Sequence, residues 1–159
     1  MIGGLGPEST VDYYRSIIAR YRARKPDGGY PHVILNSLDV DKGIALLDAE
    51  RLGDLADYLA AGVELLVRAG ADFGFIAANT PHIVFDEVQR RSAIPLLSIV
   101  RATSDHAKAL GLKRVGLFGT GLLCGGAFTR RNSSGQGSPW FDQKSQSGNL
   151  FTGSTWMNC

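Results

Sequence analysis

The sequence predicts an α/β fold in which a parallel sheet is flanked by helices. Three observations predict it. Apolar runs of strand length alternate with helix-periodic segments from Met1 to Thr120. The passages from strand to helix carry turn residues, as in Gly3-Gly4-Leu5-Gly6-Pro7 and Asn79-Thr80-Pro81. Strands separated by helical crossovers pair in parallel, with helices on both faces.

The elements follow in order. Pro7 to Arg24 reads as a helix, because proline suits a first helical turn and Val11, Tyr14, Ile18 and Tyr21 share one face. The basic run Arg20, Arg22, Arg24 and Lys25 closes it, where cations complement the helix dipole. The alternative for that run is a phosphate-binding patch. His32 to Leu38 is a strand. A loop with Asp39, Asp41 and Lys42 leads to a helix from about Asp48 to Ala69, striped by Leu55, Leu59, Val63 and Leu66 and stopped by Gly70. Phe73 to Ala78 is a buried strand, Pro81 to Arg91 a helix and Ile94 to Ile99 a strand. Thr103 to Leu110 is a helix, and Arg114 to Phe118 a strand ending at Gly119-Thr120. Together these make a flavodoxin-like three-layer sandwich.

Two irregularities qualify that fold. The glycine turn should follow a strand, yet only Met1 and Ile2 precede it, so the first strand is expected to be largely missing. The pattern stops near Gly121. Residues 121–159 are rich in Ser, Gly, Asn and Gln, with isolated Trp140, Phe141, Phe151 and Trp156, and are expected to form an irregular or disordered tail. The domain reading is thus an incomplete α/β domain over 1–120 and an unpatterned tail over 121–159.

Composition excludes several function classes. With 159 residues, 44% hydrophobic and 20% charged, the chain suits about one globular domain. A net charge of +2 gives no argument for nucleic acid. No window has the apolar length of a membrane span, and the glycine-rich start is not a signal peptide. A cytoplasmic location is the resulting expectation. Cys124 and Cys159 form neither a disulfide framework nor a metal site, and His32 and His106 have no partner pattern.

In a parallel sheet, ligands bind outside the carboxyl ends of the strands. That rule collects the Leu5-Gly6 turn, Asp39, Asn79, Thr80, Ser98 and Thr120. Ala77-Ala78-Asn79-Thr80-Pro81-His82 is the most informative segment. Asn79 and Thr80 stand where free backbone N–H groups open a helix, a setting that holds carboxylates and phosphates. Both are also favoured capping residues whatever the function.

Gly-Gly-Leu-Gly-Pro-Glu-Ser-Thr at residues 3–10, Ala-Ala-Asn-Thr-Pro-His at 77–82 and Gly-Leu-Phe-Gly-Thr at 116–120 together resemble the aspartate/glutamate racemase family, the aspartate racemase branch most of all. The resemblance covers Met1 to Thr120. It implies inversion at the α-carbon of an acidic amino acid, without pyridoxal phosphate or metal, in a site between two similar α/β domains. One thiolate removes the α-proton and a second thiol supplies a proton to the opposite face. Inversion needs two groups flanking one carbon, and so weak an acid needs a desolvated base. The resemblance also implies homodimers in many members.

Carried over by residue, the match is partial. The position of the first acid/base is Ala78, which has no proton to exchange. Asn79 and Thr80 match residues that hold the substrate's amino and carboxylate groups, and Thr120 matches a threonine that faces substrate. Leu5 stands in the glycine turn where the family often has methionine. Leu47 lies near a position that often carries a polar substrate contact. Cys124 does not match the second-domain motif. The expected substrate-binding set is therefore Leu5, Asn79, Thr80 and Thr120, with no intact catalytic residue, no cofactor and no metal.

The alternatives are specific. His82 is either a proton donor or a structural group, and Cys124 either a thiol catalyst or an incidental thiol. Asp39 and Asp41 read as solvent-facing loop carboxylates rather than a catalytic pair. A dinucleotide-binding reading of the glycine turn needs a glycine where Ser9 stands. The function readings are an inactive racemase-type domain, a binding module for an acidic amino acid or carboxylate, and a truncated or frame-shifted product with exposed sheet edges.

Overall fold

A computed structural model describes residues 1–114 and the backbone of two short strands, Phe118–Gly119 and Met157–Asn158. The chain divides into two compact units, Met1–Ala102 and Thr103–Cys159.

In the first unit, β1 (Ile2–Gly3) pairs in parallel with β2 (Asn36–Ser37), and β3 (Gly74–Phe75) with β4 (Leu96–Leu97). A parallel bridge between Ile2 and Ile76 joins the two pairs, giving the strand order β2-β1-β3-β4. The first strand is short, as its sequence implies, yet it is central. Met1 O accepts from Asn36 N, Gly3 O from Leu38 N and Ile2 O from Ala77 N, at 2.8–3.0 Å. Both neighbours of β1 pair with it over this stretch.

Helix α1 spans Pro7–Arg24, as the proline and the terminal arginines predict. Its inward face differs from the predicted stripe. Thr10 is buried and Tyr13 meets Phe75 with ring centroids 5.3 Å apart, whereas Val11 and Tyr14 are 47% and 46% exposed. A threonine holds the buried position because its hydroxyl serves the glycine turn, and a hydrophobic pattern does not register that.

The predicted loop and single helix after β2 are replaced by two helices, α2 (Val40–Asp48) and α3 (Leu52–Arg68). Asp39 caps α2, its Oδ1 accepting from Asp41 N at 2.9 Å and Lys42 N at 3.4 Å. The break between the helices falls at Glu50, a non-glycine residue with φ 54°, so no Gly or Pro marks it. The predicted α3 stripe is buried: Leu55, Leu59, Val63 and Leu66 are at most 1% exposed and pack with Ile2, Ile76 and Val88. Gly62 lets α3 approach the sheet, since a Cβ there would lie 3.2 Å from Leu38 and 3.3 Å from Ile2.

After β3 comes a 3-10 helix, Thr80–Val84, then α4 (Phe85–Arg91), in place of one continuous α-helix. Helix α5 (Ile99–Ala109) starts earlier than predicted. In the second unit, β5 (Phe118–Gly119) pairs antiparallel with β6 (Met157–Asn158). The rest of the predicted 114–118 strand and of the tail lies outside the described residues. No described helix is long and apolar enough to cross a membrane.

Candidate active site

The glycine turn is built by close approach and by two hydroxyls. Gly4 has φ +84°, and a Cβ there would fall 2.1 Å from Leu38 O and 2.6 Å from Leu38 N, inside the backbone of the neighbouring strand. Gly4 N donates to Thr10 Oγ1 at 3.0 Å, and that hydroxyl donates to Gly6 O at 2.9 Å. Ser9 Oγ lies 2.8 Å from Gly6 O and 2.7 Å from Ala77 O, so it ties the start of α1 to the end of β3. The Ser9 side chain occupies the place where a dinucleotide fingerprint needs a glycine for close packing, which removes the physical basis of that reading. Leu5 is half-buried and packs against the core.

The end of β3 leads into the second turn. Ala78 is half-buried and Asn79 exposed, with Thr80 half-buried. Asn79 has helical φ and ψ and makes no side-chain capping bond. Neither the Asn79 nor the Thr80 side chain hydrogen-bonds a described residue, so capping does not use them. A short 3-10 turn, with poorer hydrogen-bond geometry, stands in place of the predicted α-helix start.

His82 is a structural group here, one of the two alternatives open in the sequence. It is 3% exposed, and its Nδ1 lies 2.8 Å from Ala78 O. The ring stacks on Phe85 at a centroid distance of 5.0 Å and 2° between planes. Burial lowers its pKa from 6.5 to about 4, with nearby Arg101 adding in the same direction and the Ala78 and Asn79 carbonyls opposing. At neutral pH the ring is uncharged, and the Nδ1 contact with a carbonyl requires the proton on Nδ1. Nε2 is then a bare acceptor, and it is buried without a partner among the described residues. Arg101 itself lies over the Phe85 ring and pairs with Asp86 at 2.5 Å.

The structure thus joins the glycine turn to Ala77, directly before Ala78, through Ser9, and it brings Gly4 close against Leu38, the residue after β2, whose N–H donates to Gly3 O. Asp39 is committed to capping α2, and its backbone N–H donates to Tyr58 Oη at 2.8 Å. Ser98 accepts from Arg101 N at 3.2 Å, in the first turn of α5. Leu47 packs against the core from α2. Thr120 and Cys124 lie outside the described residues. Among the described residues no three of His, Cys, Asp and Glu come together as metal ligands would. Ser9, Thr10 and Tyr58 are the organising residues that sequence reasoning missed. Only the Ser-Thr pair after Gly-Pro-Glu hinted at two of them.

Known proteins resemble this chain in sequence and in fold. Residues 2–139 match the family model for Asp/Glu/hydantoin racemases. A broad-specificity amino-acid racemase from Bacillus subtilis is 28% identical over 109 residues, covering 65% of this chain and 46% of that protein. The crystal structure of an aspartate racemase homologue from Pyrococcus horikoshii is similar with a TM-score of 0.72 at 32% identity, covering 84% of this chain and 58% of the other. A Yersinia pestis structure classed with the Asp/Glu racemases gives a TM-score of 0.72 at 28% identity, covering 84% and 59%. The chain therefore spans about half the length of these relatives. The glycine turn locked onto β2, the Asn79-Thr80 turn after β3, the parallel sheet that carries both and the matched family model place this chain in the Asp/Glu/hydantoin racemase family.

Proposed function

We propose that this chain binds an acidic amino acid at the carboxyl ends of its strands and does not itself invert it. The observation that carries this reading is the turn Ala78-Asn79-Thr80. Two polar side chains with no hydrogen-bond partner among the described residues stand beside a residue that cannot exchange a proton. In the family chemistry, cofactor-independent interconversion of L- and D-aspartate or glutamate, a thiolate at position 78 would take the α-proton. A methyl group there leaves the first half of that two-base transfer without a base.

Asn79 and Thr80 then hold the amino and carboxylate groups, with the backbone of the Leu5-Gly6 turn and Thr120 contributing. Leu47, packed into the core, offers no polar contact to a substrate side chain. That favours tolerance between aspartate and glutamate over strict selection. Residues 1–120 are the stretch to which this reading applies.

Calorimetric titration of the purified chain with L- and D-aspartate, glutamate and related dicarboxylates tests it. Saturable heat is the expected result, and no heat with any of them would leave the binding claim without support. Incubation in deuterated solvent tests the second half. Retention of the α-proton is expected, and wash-in of deuterium would show that another group serves as base.

A further inference from the structure

We propose that His82 is a positioning residue which, through its Nδ1–H bond to the Ala78 carbonyl, aims the backbone N–H of Asn79 at the ligand's carboxylate. This rests on the binding reading above and adds a backbone donor to it. The Ala78 carbonyl and the Asn79 N–H belong to the same planar unit, and no cis peptide bond occurs among the described residues, so the two groups point in opposite directions. A carbonyl held 2.8 Å from a buried ring nitrogen is turned into the protein. The Asn79 N–H is thereby turned out, and among the described residues it has no acceptor.

The ring cannot drift. It is clamped by the parallel stack on Phe85, and the His82 backbone N–H donates to Asn79 O at 2.9 Å. Two bonds from one residue therefore fix both peptide units that flank Asn79. The buried Nε2, unpartnered among the described residues, is the cost of this arrangement. An apolar ring would pack there without that penalty, so packing alone does not explain a histidine. The Nδ1–H bond does.

Two substitutions separate positioning from packing. His82→Asn places an amide N–H where Nδ1–H stands and loses the ring. His82→Phe keeps a ring on Phe85 and loses the donor. In the full chain, His82→Phe should hold or raise the thermal midpoint and weaken aspartate binding about tenfold, the effect of misplacing one hydrogen bond to a charged group. His82→Asn should lower the midpoint and keep affinity within about threefold of the parent. Affinity that follows the midpoint across both variants, or full affinity in His82→Phe, would overturn the proposal. If the parent chain binds no amino acid, the binding reading fails on its own. The positioning claim is then decided by NMR of the Asn79 amide. A shifted or broadened resonance in His82→Phe, restored in His82→Asn, supports it, and an unchanged resonance overturns it.

Discussion

Replacing Asn79 by alanine separates a binding role from a structural one. If the Asn79 side chain capped the helix, its loss would cost about 1 kcal/mol, within a range of roughly 0.5–2. The structure shows no capping bond from it, and the residue is exposed. The expected change in unfolding free energy is therefore below about 0.5 kcal/mol, as for a surface residue without partners. The same amide, bonded to a ligand carboxylate, contributes about 1.5–3 kcal/mol as a hydrogen bond to a charged group. That corresponds to a roughly ten- to hundredfold rise in Kd for aspartate. Urea unfolding and calorimetric titration on the same preparation read both numbers. Destabilisation of about 1 kcal/mol or more with unchanged affinity would refute the reasoning, because it would make Asn79 a cap and not a ligand contact.

Three further perturbations follow from the same geometry. Gly4→Ala puts a methyl 2.1 Å from Leu38 O at φ +84°, so it must part β1 from β2; a loss of about 3 kcal/mol or more is expected in urea unfolding, against little change for Gly53→Ala, whose Cβ meets nothing within 4 Å. His82 has a folded pKa lowered from 6.5 to about 4, so between those values the unfolded chain binds more protons and stability falls as pH falls; about 3 kcal/mol should be lost by pH 4, and His82→Phe should flatten that part of the unfolding profile. Ala78→Cys places a thiol at the proposed acid/base position, and slow deuterium exchange at the α-carbon of bound aspartate, followed by proton NMR, is the expected gain; no exchange despite binding would mean that position 78 does not face the α-carbon.

The fold was legible where local chemistry and tertiary context agree. Pro7 and the arginines bound α1, and the α3 stripe from Leu55 to Leu66 is buried as its spacing predicts. Strand lengths were not legible, because a parallel strand extends only as far as its partner. His32 to Leu38 has strand composition, yet its ladder is Asn36–Ser37, set by the short β1. Helix α2 escaped because Asp39 reads equally as a loop residue and as a cap, and because Glu50 breaks the chain without glycine or proline.

The site shows the same division. The turn that carries Asn79 and Thr80 could be named from the sequence, as could the alanine beside it. The ties that organise it could not. Ser9 reaches Ala77 across 68 positions of sequence, and a hydroxyl carries no periodic signal. The role of His82 depends on which ring nitrogen meets the Ala78 carbonyl, and a sequence contains no such information.

The central claim is that this chain keeps the binding half of a racemase site and lacks the base. Proton NMR of L-aspartate in deuterated buffer with the purified chain tests both parts in one sample. Saturation transfer from protein to aspartate with the α-proton signal undiminished is the predicted result. Loss of that signal, or no transfer at all, would contradict it.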